Sequence, residues 1–171
     1  YNIVIDAKLA FGTGTHFTTQ MMLHNLLLQN IKPTTSVLDC GCGTGILSIA
    51  ASKIGAAHVV GYDIDEWSVE NSRHNADLNG IDNIEIHLGD ASLLGTEING
   101  SFDIVMANIN RNILIADVSK FVSVMHTGSR LIVSGFYISD ASDIADSFST
   151  YGLSLVSATD AHDWQSLVFD L

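Results

Sequence analysis

A glycine-rich turn is the stretch of this sequence best suited to hold a ligand. Residues 37–45 read Val-Leu-Asp-Cys-Gly-Cys-Gly-Thr-Gly, with Asp39 closing an apolar run and Gly41 and Gly43 in the turn. Glycines let a backbone approach a ligand closely, and the start of a following helix offers unpaired N–H groups. The spacing is G-x-G-x-G, whereas dinucleotide enzymes use G-x-G-x-x-G. The carboxylate of Asp39 therefore favours a ligand with a cationic amine or sulfonium over a pyrophosphate, although an ordinary structural turn is an equal alternative.

Two further acids follow a second apolar run. Asp63 lies 22 residues after Gly41, and Asp65 comes just before a helical pattern. At this place in a doubly wound sheet a carboxylate can accept hydrogen bonds from both ribose hydroxyls of an adenosine ligand. We therefore assign Asp63 to ribose and Asp65 to the N-cap of the helix, although Asp63 could itself be the cap. The glycine turn and the acid together favour a nucleoside site more strongly than either does alone.

Polar residues also close the third and fourth apolar runs. Asp90 could accept a hydrogen bond from an adenine amine while Ile64 lies against the ring, although turn chemistry alone would place Gly89-Asp90 there. Asn108 offers a carbonyl acceptor to an incoming N–H and an amide donor to a cofactor. Its alternative role is to cap the next helix, which Asn110 could do equally well.

Other chemistries find little support in the sequence. The seven histidines form no H-x-x-x-H or H-E-x-x-H pattern, so we expect no metal site, and no G-x-S-x-G motif is present. The two cysteines, Cys40 and Cys42, cannot supply a four-ligand zinc site, and we interpret them as small packing residues. Cysteine usage of this kind fits a reducing, cytoplasmic compartment.

The elements that must position these residues alternate between strands and helices. Seven short apolar runs have strand length and β-branched content: 37–39, 58–62, 84–88, 102–106, 131–134, 153–156 and 166–169. Amphipathic stretches at 46–54, 67–78, 112–125 and 140–148 predict helices. We also expect a strand at 3–5 and a loop at 10–16 leading into a helix at 17–29. The alternation predicts an α/β fold with helices on both faces of a mostly parallel sheet and an antiparallel terminal pair.

Composition limits the function classes. The chain has 171 residues, 47% hydrophobic and 15% charged, with a formal net charge of −12. These values predict one globular domain and disfavour a nucleic-acid-binding module, because a basic surface is what phosphates require. The longest apolar run is far shorter than the ~20 residues that cross a bilayer, and no basic leader precedes an apolar stretch. We expect no membrane partner.

The combined motifs resemble the S-adenosylmethionine-dependent class I methyltransferases, and within them the family that acts on ribosomal protein L11. The stretch 10–19, Ala-Phe-Gly-Thr-Gly-Thr-His-Phe-Thr-Thr, is the most specific match, and the likeness covers nearly the whole chain. Similar, too, are residues 61–65, 70–71, 75–76, 78–80, 89–90 and 107–109. The sequence departs from the family at Phe17, where Pro is usual, and at Glu66-Trp67, which replaces a Pro-containing pair.

The resemblance implies a Rossmann-like fold, S-adenosylmethionine as cofactor, and methylation of protein amino groups in ribosomal protein L11. It implies that Thr19, Gly41, Asp63 and Asn108 contact the cofactor. Family members carry an N-terminal domain that recognises the substrate, and nothing in this sequence represents it. We therefore expect residues 1–171 to be a single catalytic domain that belongs to a longer protein.

The expected reaction is an in-line displacement at the sulfonium methyl, for which the protein must mainly align the reactants. Asn108 is the candidate catalytic residue, as acceptor and positioner of a neutral amine, and no general base is identifiable. Three alternatives stay open: a methyltransferase for another protein or a small molecule, a non-catalytic nucleoside-binding scaffold, and an NAD enzyme, which the glycine spacing weakens.

Overall fold

The computed structural model describes residues 1–7 and 12–171, so Ala10 and Phe11 of the signature lie outside the described residues. The strands are β1 Ser36–Cys40, β2 His58–Asp63, β3 Ile84–Leu88, β4 Phe102–Asn108, β5 Met125–Tyr137, β6 Ser154–Ala161 and β7 Trp164–Asp170. The helices are α1 Phe17–Leu27, α2 Ile46–Ile54, α3 Glu66–Leu78, α4 Arg111–Ser123 and α5 Ala141–Ser149. Residues 12–16 form no helix or strand and lead into α1, as predicted.

The strands form one sheet in the order β3-β2-β1-β4-β5-β7-β6. Strands β1 to β5 pair in parallel, and β7 is antiparallel to both β5 and β6. The predicted mostly parallel sheet with a terminal antiparallel pair is thus confirmed. The turn between β6 and β7 is only His162-Asp163, because both strands extend beyond the apolar runs that predicted them.

Both faces of the sheet are covered, and strand alternation decides which residue faces which layer. Val37 of β1 packs in a cluster with Met22 of α1 and Leu47 of α2. Its neighbour Leu38 points the other way, into a cluster with Phe121 of α4 and with α5. Because β1 is buried on both faces, Val37 and Leu38 are apolar in succession rather than alternating with polar residues.

The strand order places the predicted site residues side by side. Parallel strands end at the same edge of a sheet, and β1 lies between β2 and β4. Asp63 at the end of β2 and Asn108 at the end of β4 therefore flank the glycine turn that follows β1. This is the switch point at which open α/β sheets hold ligands.

Helix α4 ends earlier than the periodicity predicts. The prediction runs to Met125, but the helix ends at Ser123 and Met125 starts β5, opposite Phe102 of β4. An apolar Met125 fits both the helical periodicity of α4 and a buried strand position, and its pairing with β4 places it in the strand. Likewise, α1 ends at Leu27 rather than at residue 29.

The predicted strand at residues 3–5 is wrong. Residues 1–7 form no strand, although Val4 and Asp6 are hydrogen-bonded through their backbone groups. Their partners are side-chain amides of α3 and its C-cap, which take the place of a neighbouring strand. Within the described ranges, no helix is both long and apolar enough to cross a membrane.

Candidate cofactor site

A cavity of about 590 Å³ opens at the switch-point edge of the sheet. Among the predicted residues, those that line it are Thr19, Gly41, Gly43, Asp63, Ile64, Asp90 and Asn108. Asp39 is the predicted residue that is absent from the described lining. Three carboxylates, Asp63, Asp90 and Asp117, line the cavity with a single basic side chain, Lys120, among the described residues. The cavity thus favours a cationic ligand over a phosphate.

The glycine turn uses its own N–H groups. Gly41 and Cys42 both donate to the Tyr62 carbonyl, at 2.8 and 3.0 Å, and Gly43 donates to Asp63 Oδ2 at 2.9 Å. Gly45 donates to the Cys42 carbonyl at 2.8 Å. A pyrophosphate needs such donors to be free. The turn therefore supplies shape and close approach rather than an anion cradle.

Asp63 and Asp65 have different roles, and the predicted N-cap role of Asp65 is confirmed. The Asp65 carboxylate accepts from Ser68 N–H at 3.0 Å and caps α3. Asp63 Oδ1 accepts from Asp65 N–H at 3.0 Å, while Oδ2 holds Gly43. Each carboxylate oxygen has a second lone pair, so Asp63 retains acceptor capacity toward the cavity that it lines. Asp63 thus stabilises the glycine turn through the Gly43 N–H and is also a candidate ribose ligand.

Asp39 lies beneath the turn rather than in the described wall of the cavity. Its Oδ2 accepts from Ser48 N–H at 3.1 Å and from Ser48 Oγ at 2.6 Å, which fixes the first turn of α2. The side chain is 1% exposed, and Oδ1 has no hydrogen-bond partner among the described residues. Burial raises the pKa of Asp39 to about 6, partly offset by the Ser48 bonds. Its role as a cofactor contact stays a prediction.

This pKa predicts a pH-dependent stability difference between the natural protein and Asp39→Asn. Because the folded pKa lies above the ordinary value of ~3.9, Asp39 stabilises the fold most below that value, and the contribution falls as pH rises through 6. The amide side chain introduced by the substitution does not titrate. The free energy of unfolding of Asp39→Asn, relative to that of the natural protein, should therefore rise by about 1 kcal/mol between pH 5 and pH 7. Urea unfolding of both proteins at these pH values measures the difference. A constant offset would show that the carboxyl titrates normally.

Two buried side-chain oxygens in the cavity wall lack protein partners. Thr19 Oγ1 and Asn108 Oδ1 are both inaccessible to solvent and make no hydrogen bond within residues 1–7 and 12–171. Leaving a buried acceptor or hydroxyl unpaired costs free energy, so unpaired atoms in residues that line a cavity are candidate contacts for a ligand or an ordered water. Asn110, not Asn108, caps α4, because its Oδ1 accepts from Ile113 N–H at 3.1 Å. The amide of Asn108 is thus available to a bound molecule.

Exposed apolar side chains also line the cavity. Ile64 is 76% exposed and Ile113 is 44% exposed, although both line the cavity. Asp90 also lines it, but its Oδ1 caps the following turn by accepting from Ser92 N–H at 2.7 Å. The bond to Ser92 lowers the pKa of Asp90 and keeps it ionised. The adenine contacts of Ile64 and Asp90 stay a prediction.

Sequence reasoning missed one wall of the cavity. Ile113, Asp117 and Lys120 of α4 line it, at spacings of four and three residues that place them on one helix face. The 3, 4, 7 spacing of residues 112–125 by itself groups Ile113 and Asp117 with the buried residues Leu114 and Val118. The charged side chains of Asp117 and Lys120 are the sequence signal that this helix has a second, solvent-accessible face.

Ile109 also escaped prediction. Its side chain sits over Gly41, whose φ is +74°, and a Cβ added there would lie 2.6 Å from Ile109 Cγ2. The backbone of Ile109 in turn passes over Gly135 of β5, where an added Cβ would lie 2.5 Å from the Ile109 carbonyl oxygen. Two glycines distant in sequence therefore fix the loop that carries Asn108.

The cysteines take no part in nucleophilic chemistry here. Cys40 and Cys42 are free and buried. Burial raises the pKa of both thiols well above the ordinary value, so they stay protonated. In the described part of the chain no group of three or more His, Cys, Asp or Glu side chains is placed to hold a metal ion.

Comparison with known proteins gives one family. A family model described as "Ribosomal protein L11 methyltransferase" matches residues 1–171. The ribosomal protein L11 methyltransferase of Phocaeicola vulgatus is 45% identical over 169 residues, which cover 99% of this chain and 59% of the relative. The chain thus spans less than two thirds of that relative's length.

Solved structures agree with the predicted fold. The ribosomal protein L11 methylase of Lactobacillus delbrueckii subsp. bulgaricus superposes with a TM-score of 0.89 at 32% identity, covering 98% of this chain and 84% of that chain. A TehB-like SAM-dependent methyltransferase from Corynebacterium glutamicum gives a TM-score of 0.69 at 17% identity, covering 87% of this chain and 86% of that chain, and shows the fold alone. The predicted Rossmann-like fold is confirmed.

Proposed function

Because this chain belongs to the ribosomal protein L11 methyltransferase family, we propose that it transfers methyl groups from S-adenosylmethionine to amino groups of ribosomal protein L11. The observation that carries the proposal is the chemistry of the cavity wall. Three carboxylate residues and two residues with unpaired buried oxygens, Thr19 and Asn108, line the cavity, while the N–H groups of Gly41, Cys42, Gly43 and Gly45 are already bonded within the protein. This set suits a sulfonium nucleoside and not a dinucleotide.

Each part of the cofactor has a candidate partner. Asp63 would accept hydrogen bonds from the ribose hydroxyls, and Ile64 and Asp90 would hold the adenine. Gly41 and Gly43 let the backbone approach closely, and Thr19 offers its hydroxyl to the amino-acid end. When bound, S-adenosylmethionine supplies a methyl group activated by the adjacent positive sulfur.

The chain's own contribution to the chemistry is to align the substrate amine and to accept a hydrogen bond from its N–H group. A lysine amine attacks only when neutral, and with an ordinary pKa near 10.4 its deprotonation at pH 7 costs roughly 5 kcal/mol. Asn108 Oδ1 is buried and unpaired, so it can accept from an amine N–H and fix the direction of the nitrogen lone pair. Burial around it favours the neutral amine.

The net charge of −12 supports a basic protein segment as the partner over a nucleic acid. A cytoplasmic location follows from that substrate and is part of the proposal. Two alternatives share the cavity: a methyltransferase for another protein or a small molecule, and a nucleoside-binding scaffold without catalysis. The unpaired oxygen of Asn108 favours catalysis, because a scaffold needs no acceptor beyond the cofactor.

Ligand titration and mass spectrometry together test the proposal. Calorimetry should detect binding of S-adenosylhomocysteine and none of NAD at the same concentrations. Incubation with S-adenosylmethionine and purified ribosomal protein L11 should add whole methyl groups to lysine side chains or the N-terminus of that protein, but slowly, because this chain spans 59% of its relative's length and binding energy remote from the reacting atoms raises turnover. Binding of S-adenosylhomocysteine with no methylated product even after long incubation at high enzyme concentration would support the scaffold, and binding of NAD alone would refute the cofactor.

A further inference from the structure

Three asparagines spaced four residues apart, two in α3 and the third at its C-cap, hold the described N-terminal segment, residues 1–7. Asn79 accepts from Val4 N–H at 3.0 Å and donates to the Val4 carbonyl at 2.7 Å. Asn75 accepts from Asp6 N–H at 2.9 Å, and Asn71 donates to the Asp6 carbonyl at 2.7 Å. We call Asn71, Asn75 and Asn79 the asparagine ladder.

The asparagine ladder does the work of a neighbouring strand. It satisfies both backbone groups of Val4 and both of Asp6, the alternate residues of an extended segment. The residues between and before them, Ile5 and Ile3, pack against the cluster that covers β1 and β4. The segment is thus held by hydrogen bonds on one side and by apolar contacts on the other.

Asn75 connects this segment to the glycine turn. Its side chain is 0% exposed, and its amide donates to the Thr44 carbonyl at 2.9 Å while its oxygen holds Asp6. Thr44 Oγ1 in turn donates to the Gly12 carbonyl at 2.6 Å, and Gly12 lines the cavity. One connected set of hydrogen bonds therefore runs from residue 4 to the cavity wall.

We propose that the asparagine ladder positions Gly12 at the cavity and thereby supports cofactor affinity; Asn71, Asn75 and Asn79 are positioning residues, and this inference rests on the proposed function. Asn75 holds Asp6 through its oxygen and the Thr44 carbonyl through its amide, and Thr44 in turn holds the Gly12 carbonyl, so these hydrogen bonds restrict where Gly12 can lie. Without that restraint, the wall must be ordered at the moment of binding, and this ordering costs conformational entropy.

Two variants release the segment from opposite sides. Asn79→Ala removes both hydrogen bonds to Val4, and Val4→Pro removes the N–H donor without changing α3. Asp77→Ala is the matched control, since Asp77 is exposed on the same helix and makes no described hydrogen bond to residues 1–7. All three are studied in the same full chain.

We expect Asn79→Ala and Val4→Pro to weaken S-adenosylhomocysteine binding about fivefold to thirtyfold by calorimetry, with the control unchanged. Hydrogen exchange of the Asp6 backbone amide should be faster in both variants than in the natural protein. The KM for S-adenosylmethionine should rise by the same factor, while kcat at saturation changes less than about twofold. A merely structural role would not separate KM from kcat in this way.

The outcomes are distinguishable. Faster exchange in residues 1–7 with unchanged affinity would overturn the inference and leave a stabilising role only. Unchanged exchange would show that the asparagine ladder does not hold the segment, which also overturns it. If the natural protein fails to bind S-adenosylhomocysteine at all, the proposed function itself fails, and this inference fails with it.

Discussion

Asn108→Ala is expected to slow methyl transfer by about thirtyfold to a thousandfold while cofactor affinity changes little. The reason is the orphaned Oδ1, a buried acceptor at the end of β4 with no protein partner among the described residues. A lost alignment contact of ~2–4 kcal/mol in the transition state gives a rate effect of this size. Single-turnover methylation, begun with cofactor already bound, measures the chemical step directly.

The structure removes the alternative in which Asn108 caps α4, because Asn110 does so. Asn108→Ala should therefore leave the urea midpoint near that of the natural protein, whereas loss of the cap in Asn110→Ala should cost ~1 kcal/mol. Asn112→Ala is the activity control, since Asn112 is exposed and its described side-chain bond is to Arg111. A methyl-transfer rate equal to that of the natural protein in Asn108→Ala would rule out the catalytic role.

The second large effect is expected at Asp63. Asp63→Ala should weaken S-adenosylhomocysteine binding about tenfold or more, because each hydrogen bond from a ribose hydroxyl to a charged carboxylate contributes ~1.5–3 kcal/mol. The variant also loses the acceptor that holds Gly43 N–H, so the turn itself becomes less ordered. Calorimetry of the folded variant gives the affinity, and a urea titration reports any loss of stability.

Asp65→Ala is the matched control for Asp63→Ala, since it removes a neighbouring carboxylate that caps α3. Its loss should cost ~1 kcal/mol of stability and leave affinity close to that of the natural protein. If both variants lose affinity equally, the effect comes from the local backbone rather than from ribose recognition. Unchanged affinity in Asp63→Ala would end the ribose assignment.

The sheet and its neighbours were predictable because their signals are local. Runs of β-branched residues followed by amphipathic stretches give alternating strands and helices, and such alternation leads to a parallel sheet. The cap at Asp65 was likewise readable, since a cap acts only on the next few residues. From the strand order of such a fold, Asp63 and Asn108 could be expected to meet at the glycine turn.

Residues 3–5 show where local patterns mislead. Ile3, Val4 and Ile5 are consecutive β-branched residues, which is typical of a strand, and both backbone groups of Val4 are indeed hydrogen-bonded. The partners of this segment are side-chain amides of α3 and its C-cap, which lie about seventy residues away in sequence. No property of residues 3–5 alone distinguishes these two kinds of partner.

Sequence by itself determined the order of the elements, the glycine turn and the acids that follow the strands, because each depends on neighbouring residues. Only the tertiary structure decided that Asp39 turns toward Ser48 and that Ile109 packs between Gly41 and Gly135. It also decided that α4 lends Asp117 and Lys120 to the cavity. These contacts join segments far apart in the chain, and their geometry is fixed by how helices and strands pack, which no local pattern encodes.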